Sequence, residues 1–144
     1  MTIHQISVFL ENRAGQLAEI TRILAGSGID MRAISIAETA DYGVLRLIVD
    51  QPQKATSSLL ESGFILSMTP VTVVAVPDQP GGLAPVLQLV AQGSIDIEYM
   101  YSLFTHTDGK AYMVFRVSDD EKFAALLAEG GIACVTSEEL GIQS

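Results

Sequence analysis

One pattern occurs twice in this chain, and the repetition limits the possible folds more than any short motif does. Gly15-Gln16-Leu17 opens a stretch with apolar residues at helical spacing, followed by Gly28-Ile29-Asp30-Met31 and a hairpin pattern. Gly81-Gly82-Leu83 opens a second such stretch, followed by Ser94-Ile95-Asp96-Ile97 and another hairpin pattern. The offset is 66 residues for Gly15/Gly81, Leu17/Leu83, Ile29/Ile95 and Asp30/Asp96. It becomes 68 for Val49/Val117, Lys54/Lys122, Leu59/Leu127, Glu61/Glu129 and Gly63/Gly131, which puts two extra residues in the second hairpin. Two copies of a pattern in register build two copies of one supersecondary unit.

Each copy has roughly 70 residues, a size that buries only about 60% of its unfolded surface and is marginal alone. The two units, residues 1–69 and 70–144, are therefore expected to be tightly docked, with Thr69-Pro70 as the whole seam. Hydrophobic residues make up 49% of the chain and charged residues 17%, which fits a compact apolar globule with some apolar surface given to an interface. Net charge is −9, and the eight Lys and Arg lie singly. No basic stripe exists to neutralise phosphates, so neither nucleic acid nor an anionic membrane is expected as a partner. The first residues lack the regions of a signal peptide, and the apolar runs are too short to cross a bilayer. A cytoplasmic protein is expected. Cys134 is the one cysteine, which excludes an intrachain disulfide and a cysteine-cluster metal site.

Residues 3–10 put Ile6, Val8 and Leu10 on one strand face. Residues 11–15 break that period. Leu17, Ile20 and Leu24 then recur at helical spacing, with Glu19 and Arg22 outward, until Gly26-Ser27-Gly28 stops the helix. Strands over 30–38 and 44–49, joined by a turn at Asp41-Tyr42-Gly43, make a hairpin. Pro52 opens a second helix that Ser62-Gly63 ends, and residues 64–68 form a fourth strand. The second copy has a strand at 71–76, a turn at 77–81, and a helix cored by Leu83, Val86 and Val90. Strands at 95–105 and 111–118 turn at Asp108-Gly109, and a helix with Phe123, Leu126 and Leu127 precedes a short strand at 132–135. Residues 138–141 read as a solvated tail, helical for at most a turn. Each copy is thus β-α-β-β-α-β. With right-handed crossovers it closes as an antiparallel sheet with two helices on one face, the ferredoxin-like arrangement of the α+β class. Ser7, Ala33, Ser35 and Ala37 mark the other face as open or packed against something else.

Chemistry concentrates at the turn after each first strand. Asn12-Arg13-Ala14-Gly15-Gln16-Leu17 and Asp78-Gln79-Pro80-Gly81-Gly82-Leu83 both place a short polar side chain three residues before a glycine at a helix start. Helix N-terminal amides are unpaired donors with partial positive charge behind them, and a glycine lets a carboxylate approach them closely. The Asn12 or Asp78 oxygen can accept hydrogen bonds from an ammonium group. Together these are what a free α-amino acid requires. Helix capping is the alternative role for Asn12 and Asp78. His4 and His106 are isolated from any cluster at metal-ligand spacing, and Cys134 sits among apolar residues as a buried thiol. Tyr99, Met100, Tyr101 and Phe104 read as core or interface packing. No acid/base pair, nucleophile triad or phosphate loop is present, so no catalytic residue, cofactor or metal site is expected.

This duplicated order of strand, Asn/Asp-x-x-Gly-x-Leu, amphipathic helix, Gly-Ile-Asp-Met or its analogue, hairpin, helix and strand resembles the ACT domain, a regulatory amino-acid-binding module. Residues 3–68 look like one ACT unit and 71–135 like a second. In that family small ligands, commonly amino acids, bind where two units meet, lined by the first strand-to-helix loop and the start of the second strand. The resemblance implies Asn12, Ala14, Gly15, Gln16, Leu17, Ile29, Asp30 and Met31 in the first copy. In the second it implies Asp78, Pro80, Gly81, Gly82, Leu83, Ser94, Ile95, Asp96 and Ile97. The copies differ: Asp78 between prolines stands for Asn12, and Ser94 for Gly28, so unequal affinities are expected. Most ACT units are attached to a catalytic or DNA-binding domain; the 144 residues show none beside the two units, so regulation in cis is not expected. The expected function is a non-catalytic, allosteric amino-acid sensor. The alternative is an assembly module that forms a homodimer through its sheet edges without binding a metabolite.

Overall fold

The computed structural model describes residues 3–11, 13–38, 42–104 and 107–143. By contacts the chain divides into a first unit, His4–Thr69 with the segment from Ser137 onward, and a second, Pro70–Thr136 with the residues up to Ile3.

The first unit contains β1 (Ile3–Glu11), α1 (Gln16–Gly26), β2 (Met31–Glu38), β3 (Tyr42–Val49), α2 (Pro52–Glu61) and the start of β4 (Leu66–Pro77). Its strand order is β2-β3-β1-β4, and β1 and β2 both run antiparallel to β3. The alternation read from residues 3–10 buries Ile6, Val8 and Leu10 against Leu45, Leu47 and Val49 of β3, Ile20 and Leu24 of α1, and Leu59 of α2. Burying each such side chain contributes roughly 1.5–3 kcal/mol. Tyr42 and Gly43 lie in β3 rather than in a turn, because their backbones pair with Glu11 and Leu10; Asp41 lies outside the described residues.

The second unit contains the rest of β4, then α3 (Ala84–Gln92), β5 (Ile97–Ser102), β6 (Lys110–Val117) and α4 (Asp120–Glu129), with strand order β4-β6-β5. Its core joins Val74, Val76, Phe115 and Val117 to Val86, Val90, Phe123 and Leu127, with the Phe115 and Phe123 rings tilted at 5.4 Å. β2 and β5 begin 66 residues apart and β3 and β6 begin 68 apart, so the two extra residues fall between β5 and β6.

Three elements differ from expectation. The strands expected at 64–68 and 71–76 are one strand, β4. Pro70 interrupts nothing, because it lies between Thr69, which serves the first unit, and Thr72, where pairing with β6 begins. A proline at such a changeover lacks an N–H that neither ladder uses. The short strand expected at 132–135 is reduced to a bridge between Val74 and Cys134, with Val135 N–H donating to Val73 O at 2.8 Å. The tail is not simply solvated. Glu138 and Glu139 are exposed, but Leu140 is only 5% exposed, Arg32 Nε donates to its carbonyl at 2.9 Å, and Gln143 N–H donates to Asp50 O at 2.7 Å. These contacts place the tail, assigned by sequence to the second unit, with the first.

All four helices stop in the same way. Gly28, Gly63, Ser94 and Gly131 adopt left-handed φ values of 69°, 89°, 55° and 71°. The next residue then donates back to the helix: Ile29 to Leu24 O at 3.0 Å, Phe64 to Leu59 O at 3.1 Å, Ile95 to Val90 O at 3.1 Å, Ile132 to Leu127 O at 2.8 Å. This is the Schellman arrangement, in which the apolar residue after the stop packs onto the helix it has just left. Ser94 is the one non-glycine with positive φ among the described residues.

Candidate functional site

The β1–α1 loop is built as the motif demands. Gly15 is the residue before α1, at φ 84°, and among the described residues no side chain caps the helix there. The ladder starts with Glu19 N–H donating to Gly15 O at 3.0 Å, so the preceding first-turn amides have no partner inside the helix. Beside them is a cavity of about 180 Å³ lined by Gly15, Gln16 and Leu17 together with Leu10, Glu11, Arg13, Ile36, Glu38, Tyr42 and Gly43. Arg13 Nε pairs with Glu11 at 3.1 Å on its exposed rim. Gln16 is 7% exposed, and its Oε1 accepts no hydrogen bond among the described residues. A buried acceptor left unpaired costs about 1–3 kcal/mol. The arrangement offers donors and partial positive charge to an anion, and a bare acceptor to a cationic N–H group. Ala14 is exposed outside this lining, and Asn12 lies outside the described residues.

The second loop diverges. β4 ends at Pro77, Asp78 N–H donates to Gly109 O at 2.9 Å, and Gly81 has φ 79°. Gly82, the counterpart of Gln16, is buried so closely that a Cβ would stand 1.9 Å from Pro77 O. α3 starts only at Ala84, behind Leu83 and with Pro85 in its first turn, two residues later than α1 by the repeat. Asp78 and Pro80 are exposed, and Leu83 packs on the core. The capping role open to Asp78 is not realised: α3 begins after Leu83 with no side-chain cap.

The strand-start candidates lie elsewhere. Ile29 and Ile95 are core residues that close the helix stops, each 6% exposed. Asp30 and Asp96 N–H groups donate to Asp50 Oδ1 at 2.9 Å and Ser118 Oγ at 3.0 Å. Asp30 also pairs with Arg32. Met31 and Ile97 each precede a register shift, so both second strands bulge at the same repeat position. Met31 pairs with Val49 at one end of β3, whereas Glu11 pairs with Tyr42 at the other. At about 3.3 Å per residue, loop and strand start within one unit are separated by some 20 Å. The reason is topological: β2 runs parallel to β1, so α1 carries the chain back before β2 begins. Residues 29–31 therefore do not join residues 15–17 within the unit. Ile36, Glu38 and Tyr42, which do, follow from the registers of β3 with β2 and β1 and were not anticipated.

The remaining chemistry is sparse. Burial pushes the Cys134 thiol above its ordinary range, which disfavours the thiolate. His4 is exposed on β1, and His106 lies outside the described residues. Tyr99 stacks on Tyr101 at 6.4 Å, while Phe104 is exposed. Among the described residues no group of three or more His, Cys, Asp or Glu could hold a metal ion, and no helix is long and apolar enough to cross a membrane.

Two ferredoxin-like units in tandem, each with a glycine loop at its first helix, define a class of paired small domains. The chain belongs to the ACT domain pair family, whose model matches residues 1–142. It is similar to protein BT0572 of Bacteroides thetaiotaomicron, at 38% identity and TM-score 0.90, covering 98% of this chain and 96% of that one. In fold it is similar to the ligand-free regulatory subunit of aspartate kinase from Thermus thermophilus, at 18% identity, TM-score 0.64 and coverage of 88% and 91%. The regulatory subunit from Thermus flavus is similar at 18% identity, TM-score 0.57 and coverage of 91% and 94%. No curated protein matches the chain.

Proposed function

We propose that this protein is a non-catalytic, cytoplasmic regulatory module that binds a free amino acid or a similar small metabolite at the glycine loop of its first unit, and that a partner protein or a change in association reads the occupied state. The observation carrying this reading is Gln16: a buried Oε1 without a partner among the described residues, in the wall of a cavity beside the start of α1. A ligand carboxylate placed at the α1 amides brings its ammonium to Gln16 Oε1, aided by Asn12 as the motif implies. Strand-start residues such as Asp30 do not join this loop within the unit, which holds the two at opposite sheet ends. The names of the Thermus relatives, regulatory subunits of an amino-acid kinase, support the same class of role. A ligand of about ten heavy atoms gives a Kd of roughly micromolar to millimolar. The regulatory effect is bounded by its differential affinity for the two states.

The test is a thermal-shift screen against the twenty amino acids at millimolar concentration, repeated with Gln16→Leu. One or two amino acids raise the midpoint of the native protein by mass action. Gln16→Leu removes the unpaired acceptor, so it raises the ligand-free midpoint and loses the response. A flat screen, or a variant that responds as the native protein does, defeats the proposal.

A second reading, homodimer assembly, is favoured by apolar surface on the first unit. Phe9, Ile36, Tyr42 and Ile65 are 40%, 45%, 44% and 70% exposed, and Phe9 stacks on Tyr42 at 5.4 Å. Light scattering of the native protein and Ile65→Glu separates the readings: a dimer lost in the variant without any amino-acid response supports assembly alone.

A further inference from the structure

The two units share one hollow, and the second copy of it is several times larger. In the first unit the space between β1, the start of α1 and the turn after α2 is a cleft of about 100 Å³ walled in part by Phe9, Gln16, Glu19 and Ile65. In the second unit the repeat-equivalent space, between β4, α3 and the turn after α4, is a cavity of about 480 Å³. Three matched positions account for the difference: Ala75 stands for Phe9, Gly82 for Gln16 and Ala133 for Ile65. Each exchange removes side-chain volume from the wall. Pro85 stands for Glu19 and removes a charge. Nine of the ten lining residues are apolar or glycine, and the tenth is Lys110. Lys110 takes the register position of Tyr42, opposite Pro77 as Tyr42 is opposite Glu11, and pairs with no carboxylate among the described residues.

A hollow of this size falls within the roughly 300–1,000 Å³ of small-molecule sites. We infer that the second-unit cavity binds a small monocarboxylate with an apolar body, seated against Ala75, Val86 and Ile132 with its carboxylate on the Lys110 ammonium. The lining has no acidic side chain, so the ammonium of a zwitterion finds no charged partner there while its carboxylate takes Lys110. The ligand is therefore a carboxylate without an α-ammonium, chemically distinct from the amino acid proposed for the first-unit loop, and this site stands independently of that one.

Calorimetric titration with 3-phenylpropionate tests the assignment. The native protein binds with a Kd of about 1 mM or below. The neutral 3-phenylpropionamide and zwitterionic phenylalanine each bind about tenfold more weakly, and Lys110→Met erases the preference over the amide. Ala75→Phe and Ala133→Ile, which restore first-unit residues, each weaken binding at least tenfold. Ala133 is exposed, so that variant folds even if Ala75→Phe does not. Gln16→Leu leaves binding unchanged. Absence of binding at about 10 mM, phenylalanine binding as tightly to Gln16→Leu, in which the first-unit loop is disabled, or a Kd unmoved by Ala133→Ile overturns the inference. Loss of binding in Gln16→Leu overturns it too, by moving the probe to the first unit.

Discussion

The two glycine loops share ancestry in pattern but not in mechanics. Gly15 and Gly81 hold the same left-handed conformation at matched positions. One residue on, the first loop carries Gln16 into the first turn of α1, while the second folds Gly82 against the Pro77 carbonyl and delays α3 to Ala84. The first loop thus presents a polar side chain to a small cavity beside the start of α1. The second gives up that side chain and gains apolar space. A glycine motif fixes where the chain turns; the next residue decides what the turn can bind.

The contrast can be broken most directly at Gly82. Gly82→Ala, which meets backbone and not a movable side chain, should cost about 2–3 kcal/mol in urea denaturation, whereas Gln16→Leu should stabilise by about 1 kcal/mol. Equal, small effects at both would mean the loops are interchangeable. The helix stops provide the next test. Ser94→Gly should stabilise by about 1 kcal/mol and Gly28→Ser destabilise by a similar amount, because only glycine takes positive φ without strain. A helix-start comparison is of similar size or smaller. Asp119 accepts from Lys122 N–H at 3.1 Å at the start of α4, so Asp119→Ala should cost about 1 kcal/mol. Gln51 does not cap α2, but its Nε2 donates to Gly28 O at 3.1 Å, so Gln51→Ala should cost about 0.5 kcal/mol through that bond and not through the helix start. The smallest effect belongs to Cys134, whose raised pKa should make iodoacetamide react more slowly than with free cysteine at pH 8. Its contribution to stability is full below the ordinary thiol value of about 8.5 and is lost as pH rises through the higher folded value.

Much of the fold was legible because it depends on local period. The α1 residues Leu17, Ile20 and Leu24, and the alternation of Ile6, Val8 and Leu10, announce the faces they bury. Thr69-Pro70 misled because a proline reads as a break unless the hydrogen bonds on either side are known. Leu140 in a polar tail gives no periodic signal, so its burial was invisible. At the site, Gly15 and Gly81 were readable as left-handed turns, but the orphaned Oε1 of Gln16 depends on burial, which one dimension does not report. Residues 29–31 were attached to the loop by family resemblance, and the strand direction separates them within a unit. The open second-unit hollow had a usable signal, the small residues Ala75, Gly82 and Ala133 opposite larger ones in the aligned repeat.

The tail that Arg32 and Asp50 hold on the first unit has a consequence for biosynthesis. Residues 137–143 are made after all of the second unit, yet they complete the first. During translation the amino-terminal half can collapse around its core as it emerges, but Leu140 has not been made to cover its place. The half made first is thus the half finished last, and a ribosome stalled near residue 136 would display it uncovered.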